Sequence, residues 1–135
     1  MIKKTNIDLG LLLLRVSAGG FMLFAHGLPK LMKYETLSKN FADPIGVGPF
    51  MSYLLAMSSE FFLAGFVLLG LYVRASAIPL FITMAVAAFI VHGNDPFGDK
   101  ELALMYMVSY ATLFFTGGGK FSLDRLWRKN PNSLF

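Results

Sequence analysis

Arg15 and Glu60 are charged residues set in long apolar runs, and their side chains are the first in this sequence that ask for a chemical explanation. A lone charge at hydrocarbon depth costs roughly 2.5–3.5 kcal/mol on insertion scales, so each needs a partner or a task. Counted from the inner helix ends at ~1.5 Å per residue, Arg15 lies ~12 Å deep and Glu60 ~18 Å deep. An arginine side chain spans that difference, so the two are expected to meet. Such a pair either joins the first two helices or forms the polar floor of a ligand site.

A second group of titratable residues gathers at the opposite ends of the helices: His26, His92 and Glu101, with Lys30 one turn beyond His26. Three readings apply. They are interfacial residues reached by water, a two-histidine, one-carboxylate metal set, or an axial histidine pair for haem. No ligand spacing within one helix supports a metal and nothing else forms a porphyrin pocket, so neither metal nor haem is expected.

Tyr106 and Tyr110, one turn apart, can turn their hydroxyls inward or pack against lipid. Arg15, Gly19, Met22 and His26 share one helical stripe. Ala56 and Ala64 flank Glu60, and Ala85 and Ala88 lead to His92. Small-residue stripes serve close helix packing, and packing around a flat ligand looks the same. A ligand-sized cavity is therefore expected between His26, Glu60, His92 and Glu101. No Ser-His-Asp order, phosphate-cradling glycine loop or nucleic-acid pattern occurs.

The elements that must position these residues follow from composition. The chain has 135 residues, 56% hydrophobic and 15% charged, with a mean hydropathy of +0.61. Ordinary soluble domains are nearer ~45–50% apolar and ~25% charged, so this is a membrane composition. The chain contains no cysteine, which excludes disulfide exchange, thiolate catalysis and iron–sulfur clusters. Its net charge of +4 comes mainly from residues flanking the apolar runs, as a chain facing anionic lipid requires, and nucleic acid is not an expected partner.

The expected fold is all-α: one domain over 1–135, an integral membrane four-helix bundle with helices over about 7–28, 50–72, 75–92 and 100–116. The first run is too long, and too interrupted by Arg15, for a cleaved signal peptide. Pro29 is expected to end helix one. Asp99 is expected to cap helix four, and Gly117-Gly118-Gly119 to stop it. Ser122 then caps a short interfacial helix over about 122–129, with Leu123, Leu126 and Trp127 opposite Asp124, Arg125, Arg128 and Lys129.

Lys3, Lys4, Arg74, Lys120, Arg125, Arg128 and Lys129 share one face of the bundle, seven against the four of Lys30, Lys33, Lys39 and Lys100. The positive-inside rule puts both termini in the cytoplasm and both longer loops outside.

Several motifs occur in order: Arg15, Phe21, His26-Gly27 and Lys30-Leu31; Glu60, Gly65, Gly70 and Arg74-Ala75; His92-Gly93; Glu101; and Gly117-Gly118-Gly119-Lys120-Phe121-Ser122-Leu123-Asp124. Together they resemble the DoxX family of small four-helix bacterial inner-membrane proteins. One difference is that Glu60 is followed by Phe61-Phe62 and Ala64-Gly65 where many members carry a double glycine.

The resemblance implies a multi-pass protein of the bacterial inner membrane, linked to membrane redox complexes. It points to quinone as the cofactor, and to lipid, a redox partner subunit and further copies of the chain as partners. The candidate pocket on this reading is Arg15, His26, Lys30, Glu60, His92, Glu101 and Tyr106, with no catalytic residue assigned. The alternative is a non-catalytic membrane scaffold or small-solute permeation protein.

Overall fold

The computed structural model describes residues 3–128. Helices α1 (Lys4–Met32), α2 (Tyr34–Asn40), α3 (Pro49–Leu69), α4 (Val73–Val91), α5 (Phe97–Thr116) and α6 (Leu123–Trp127) follow in order, with no strand among the described residues. By length and composition, α1, α3 and α4 can each cross a membrane. At 20 residues α5 is longer than α4, and it carries Asp99, Lys100 and Glu101 in its first turns.

Burial departs from that of a soluble protein. Leu13, Phe21, Phe89 and Phe115 face outward, while Arg15, Ser52, Ser59, Glu60 and Ser76 are buried. Large apolar side chains outside and small or polar ones inside suit a bundle solvated by hydrocarbon, where helices associate through close packing and internal polar contacts. The core comprises Ala18, Met22, Ala64, Val67, Val73, Ala77, Leu80, Met84, Tyr106, Tyr110 and Leu113. α4 and α5 pack along each other, and α1 packs along the C-terminal part of α3.

Glycine sets the α1–α3 spacing. A Cβ on Gly19 would lie 2.7 Å from the Leu68 nitrogen and 2.9 Å from the Ala64 carbonyl oxygen. On Gly27 it would overlap the Glu60 carbonyl itself. Backbones this close leave no room for any side chain.

Each of the three most apolar helices contains one π-helical turn: Leu23–Gly27 in α1, Ser59–Leu63 in α3 and Ala87–Val91 in α4. The five-residue bonds are Leu28 N–H to Leu23 O, Ala64 N–H to Ser59 O and His92 N–H to Ala87 O. The first explains why Pro29 does not end α1. A wider turn precedes the ring and relieves its clash with the previous turn, so the helix runs on to Met32.

Other boundaries also differ from expectation. Residues 34–40, expected to be loop, form α2. α3 stops at Leu69 rather than near 72, because Gly70 takes φ 81°. α5 begins at Phe97, with Asp99 inside its first turn rather than capping it. Ser122 does not cap α6 with its side chain; its hydroxyl donates to the Gly119 carbonyl. Lys129, expected at the end of that helix, lies outside the described residues.

Candidate functional site

Arg15 and Glu60 do not meet. With Gly19 against Ala64 and Leu68, and Gly27 against Glu60, the antiparallel register puts Arg15 beside Gly70. Twelve residues of α1 separate Arg15 from the level of Glu60, about 18 Å at the helical rise, well beyond one side chain. The expected pair is replaced by two separate polar clusters at different depths.

At the end of the bundle beside Gly70, Arg15 is 2% exposed and its Nη2 donates to the Phe121 carbonyl at 3.0 Å. Its Nε and Nη1 have no hydrogen-bond partner among the described residues. Asp8 Oδ1 accepts from Lys120 N–H at 2.9 Å. Asp124, expected on the solvated face of the tail helix, instead caps the start of α4, accepting from Tyr72 N–H at 2.8 Å and Val73 N–H at 3.1 Å. Its own N–H donates to the Gly70 carbonyl at 2.9 Å.

Residues 117–124 thus tie α1 to the α3–α4 turn, with side chains paying back orphan backbone groups at helix ends. Tyr72 in that turn is left-handed at φ 45°, a strained conformation for a non-glycine residue that the Asp124 carboxylate holds in place. The sequence gives no warning of this role for Asp8, which reads as an ordinary acid ahead of an apolar run.

In the other cluster, Glu60 is paired with Lys30 in a short charge-assisted contact. The Lys30 backbone carbonyl accepts from the Tyr53 hydroxyl at 2.9 Å, which fixes α1 beyond Pro29 against α3. Tyr53 is fully buried beneath Tyr34 and Phe41, at ring distances of 5.8 and 5.7 Å, so α2 and the loop after it cover this corner.

His26, half-buried, meets Tyr106 edge to face at 5.8 Å, and Tyr106 stacks on Tyr110 at 6.1 Å. The Tyr110 hydroxyl is committed to the Ala18 carbonyl at 3.0 Å. Glu60 comes to this group through the backbone, since Gly27, next to His26, lies against the Glu60 carbonyl. Neither the His26 ring nor the Tyr106 hydroxyl has a hydrogen-bond partner among the described residues.

Of the residues singled out by sequence, the structure brings together His26, Lys30, Glu60 and Tyr106. It does not bring in the others. His92 turns into the following loop, where Nδ1 lies 2.8 Å from Asp95 Oδ2, and Glu101 is exposed at the start of α5. Among the described residues no three histidines and acids converge as metal ligands. Two of the four assembled residues lie in π turns, His26 in the first and Glu60 in the second, and such turns recur at functional sites because they redirect side chains.

At the same end, Asp43 ties the loop before α3 to the first turn of that helix. Its carboxylate accepts from the Ser52 hydroxyl at 2.7 Å and from Val47 and Gly48 N–H at 2.9 Å each. The Ser52 hydroxyl, followed by the backbone N–H groups, holds this carboxyl below its ordinary pKa.

Comparison with known proteins bears on this geometry. The sequence model of the DoxX family matches residues 10–93, which takes in Arg15, His26, Lys30, Glu60 and His92 but neither Tyr106 nor the glycine-rich segment. An "Uncharacterized protein" of Haemophilus influenzae is 29% identical over 101 residues, covering 71% of this chain and 67% of its own length. No solved structure matches the chain.

Proposed function

The chain belongs to the DoxX family, and from that premise we propose that it is a quinone-associated subunit of a bacterial inner-membrane oxidoreductase. The observation that carries the reading is the pairing of a buried ion pair, Lys30–Glu60, with two proton-bearing groups beside it, His26 and Tyr106, whose polar atoms are not engaged by the described residues. Quinone chemistry supplies a two-electron, two-proton acceptor with carbonyl oxygens that need hydrogen-bond donors.

The donor set suits it. The Tyr106 hydroxyl and the His26 ring donate to a carbonyl oxygen, Lys30 favours negative charge developing nearby, and Glu60 takes or returns a proton. His26, half-buried, relays that proton toward water at the outer end. With no cysteine in the chain, the electrons are assigned to a partner subunit.

The same reading places four spans in the membrane, α5 included, with both termini cytoplasmic and α6 in the interface. Seven basic residues at one end against four at the other favour that orientation. A bundle that only packed would use Leu or Ala at Glu60 at lower cost.

The test is titration of the purified protein with a water-soluble quinone analogue. Wild type binds, and a Glu60→Gln, Tyr106→Phe double variant binds at least about tenfold more weakly, the loss expected for two polar contacts. Equal binding by both proteins, or binding by neither, overturns the reading. The second reading, a non-catalytic scaffold, draws on the inner cluster, where Asp8, Arg15 and Asp124 all serve backbone groups. It is the reading that remains if neither protein binds.

A further inference from the structure

Away from both polar clusters, α4 and α5 leave an open groove of about 250 Å³ between their inner halves, lined by Ala77, Ile78, Phe81, Ala111, Phe114 and Phe115. Ala77 and Ala111 form a shallow floor, and the aromatic rings stand on either side. The lining presents no polar surface. An α-helix with its side chains is ~10–12 Å across, far too wide for this space, whereas an extended hydrocarbon chain fits.

At its inner end the groove meets a cation. Arg74 precedes Ala77 and Ile78 by one turn on α4, is exposed, and spends one N–H on the Phe115 carbonyl at 3.3 Å. Its remaining N–H groups have no hydrogen-bond partner among the described residues, and Lys3, Lys4, Lys120 and Arg125 are exposed at the same end of the bundle. We propose that this groove is a binding site for one anionic phospholipid, an acyl chain lying along Ala77 and Ala111 and its phosphate held by Arg74. A planar guanidinium beside an apolar channel is complementary to a phosphodiester above a hydrocarbon chain. The site is independent of the quinone reading, since it shares no residue with the His26–Lys30–Glu60–Tyr106 cluster.

The test is native mass spectrometry of the protein released from nanodiscs of equal phosphatidylglycerol and phosphatidylcholine. Wild type retains one phosphatidylglycerol in preference to phosphatidylcholine by about fivefold, the factor expected of one basic side chain at the surface. R74Q brings the two lipids to parity and R74K keeps part of the preference. A111F, which fills the floor, loses the retained lipid. F115A, which removes an exposed wall without touching the core, also lowers retention should A111F fail to fold. Equal retention of the two lipids by wild type, or undiminished retention in both groove variants, overturns the proposal. Displacement of the lipid by a short-chain quinone analogue at equimolar amounts also overturns it, by giving the groove a different occupant.

Discussion

Lys30 closes an ion pair with Glu60 across the α1–α3 contact, immediately beyond the point where Gly27 brings the two backbones together. The close approach and the ion pair are parts of one arrangement. The approach at Gly27 brings Lys30 within reach of Glu60, a residue only 6% exposed.

Breaking that pair should leave a buried charge without a partner. Lys30→Met or Glu60→Leu is expected to cost about 2–4 kcal/mol, and the double variant to recover much of it. Arg15→Leu combined with Glu60→Leu should be additive, because the two side chains belong to different clusters. Detergent melts of the six proteins decide this, and strict additivity for Lys30 and Glu60 would show that the pair contributes nothing.

Gly27→Ala should cost more than about 2 kcal/mol, since the added methyl meets backbone and no rotamer change relieves it. Gly20→Ala is the control. Its nearest neighbour would be a Leu68 methyl at 3.8 Å, and helix propensity favours alanine, so that variant should melt at or above wild type.

Asp124→Ala removes the cap of α4 and the hold on Tyr72, and should lower stability by about 1–2 kcal/mol. Asp124→Asn, which keeps one acceptor oxygen, should lose less. Equal melting of all three proteins would rule out the cap as a source of stability.

Asp43 should make stability depend on pH. Its pKa is depressed in the folded protein, chiefly by the Ser52 hydroxyl and then by backbone N–H groups. A carboxyl of that kind adds stability that is fully present above its unfolded value and is lost as pH falls through the folded value. The difference in melting between wild type and Asp43→Asn should therefore be largest near neutral pH and shrink in acid. Ser52→Ala, by raising the folded value, should make that loss smaller and complete it at a higher pH, while its onset, set by the unfolded value, stays in place. A difference that stays constant from neutral pH into acid would contradict the linkage.

Orientation is open to a direct check. A reporter active only in the cytoplasm, fused after Phe135, should be active, and one fused into the loop near Gly46 should not. The reverse pattern would invert the bundle.

Composition and periodicity alone established a membrane-type all-helical chain, and the small-residue stripe through Gly19 and Met22 correctly marked a buried face of α1. His26, Lys30, Glu60 and Tyr106, which the structure brings together, were each singled out from the sequence. Their pairing was not. Depth counted from helix ends paired Arg15 with Glu60, but antiparallel helices take their register from backbone contact. Gly27 against Glu60 and Gly19 against Ala64 move Arg15 down to Gly70. Hydrophobic patterning cannot report that contact, because it records which residues face inward and not which of them touch.

The π turns were equally hidden. A five-residue bond such as Leu28 to Leu23 inserts one residue into a 3.6-residue period, and the wider turn let α1 pass Pro29 and carry Lys30 to Glu60. The tail was misread for a related reason. Asp124 looks like one side of an amphipathic helix until the chain folds back and its carboxylate finds the unsatisfied N–H groups of Tyr72 and Val73, more than fifty residues away. Local sequence specified the long apolar helices, though not α2, and which of their faces are buried. Which carboxylate serves which cation or helix end was decided by tertiary packing, because that depends on backbone separations of a few ångströms between segments distant in the chain.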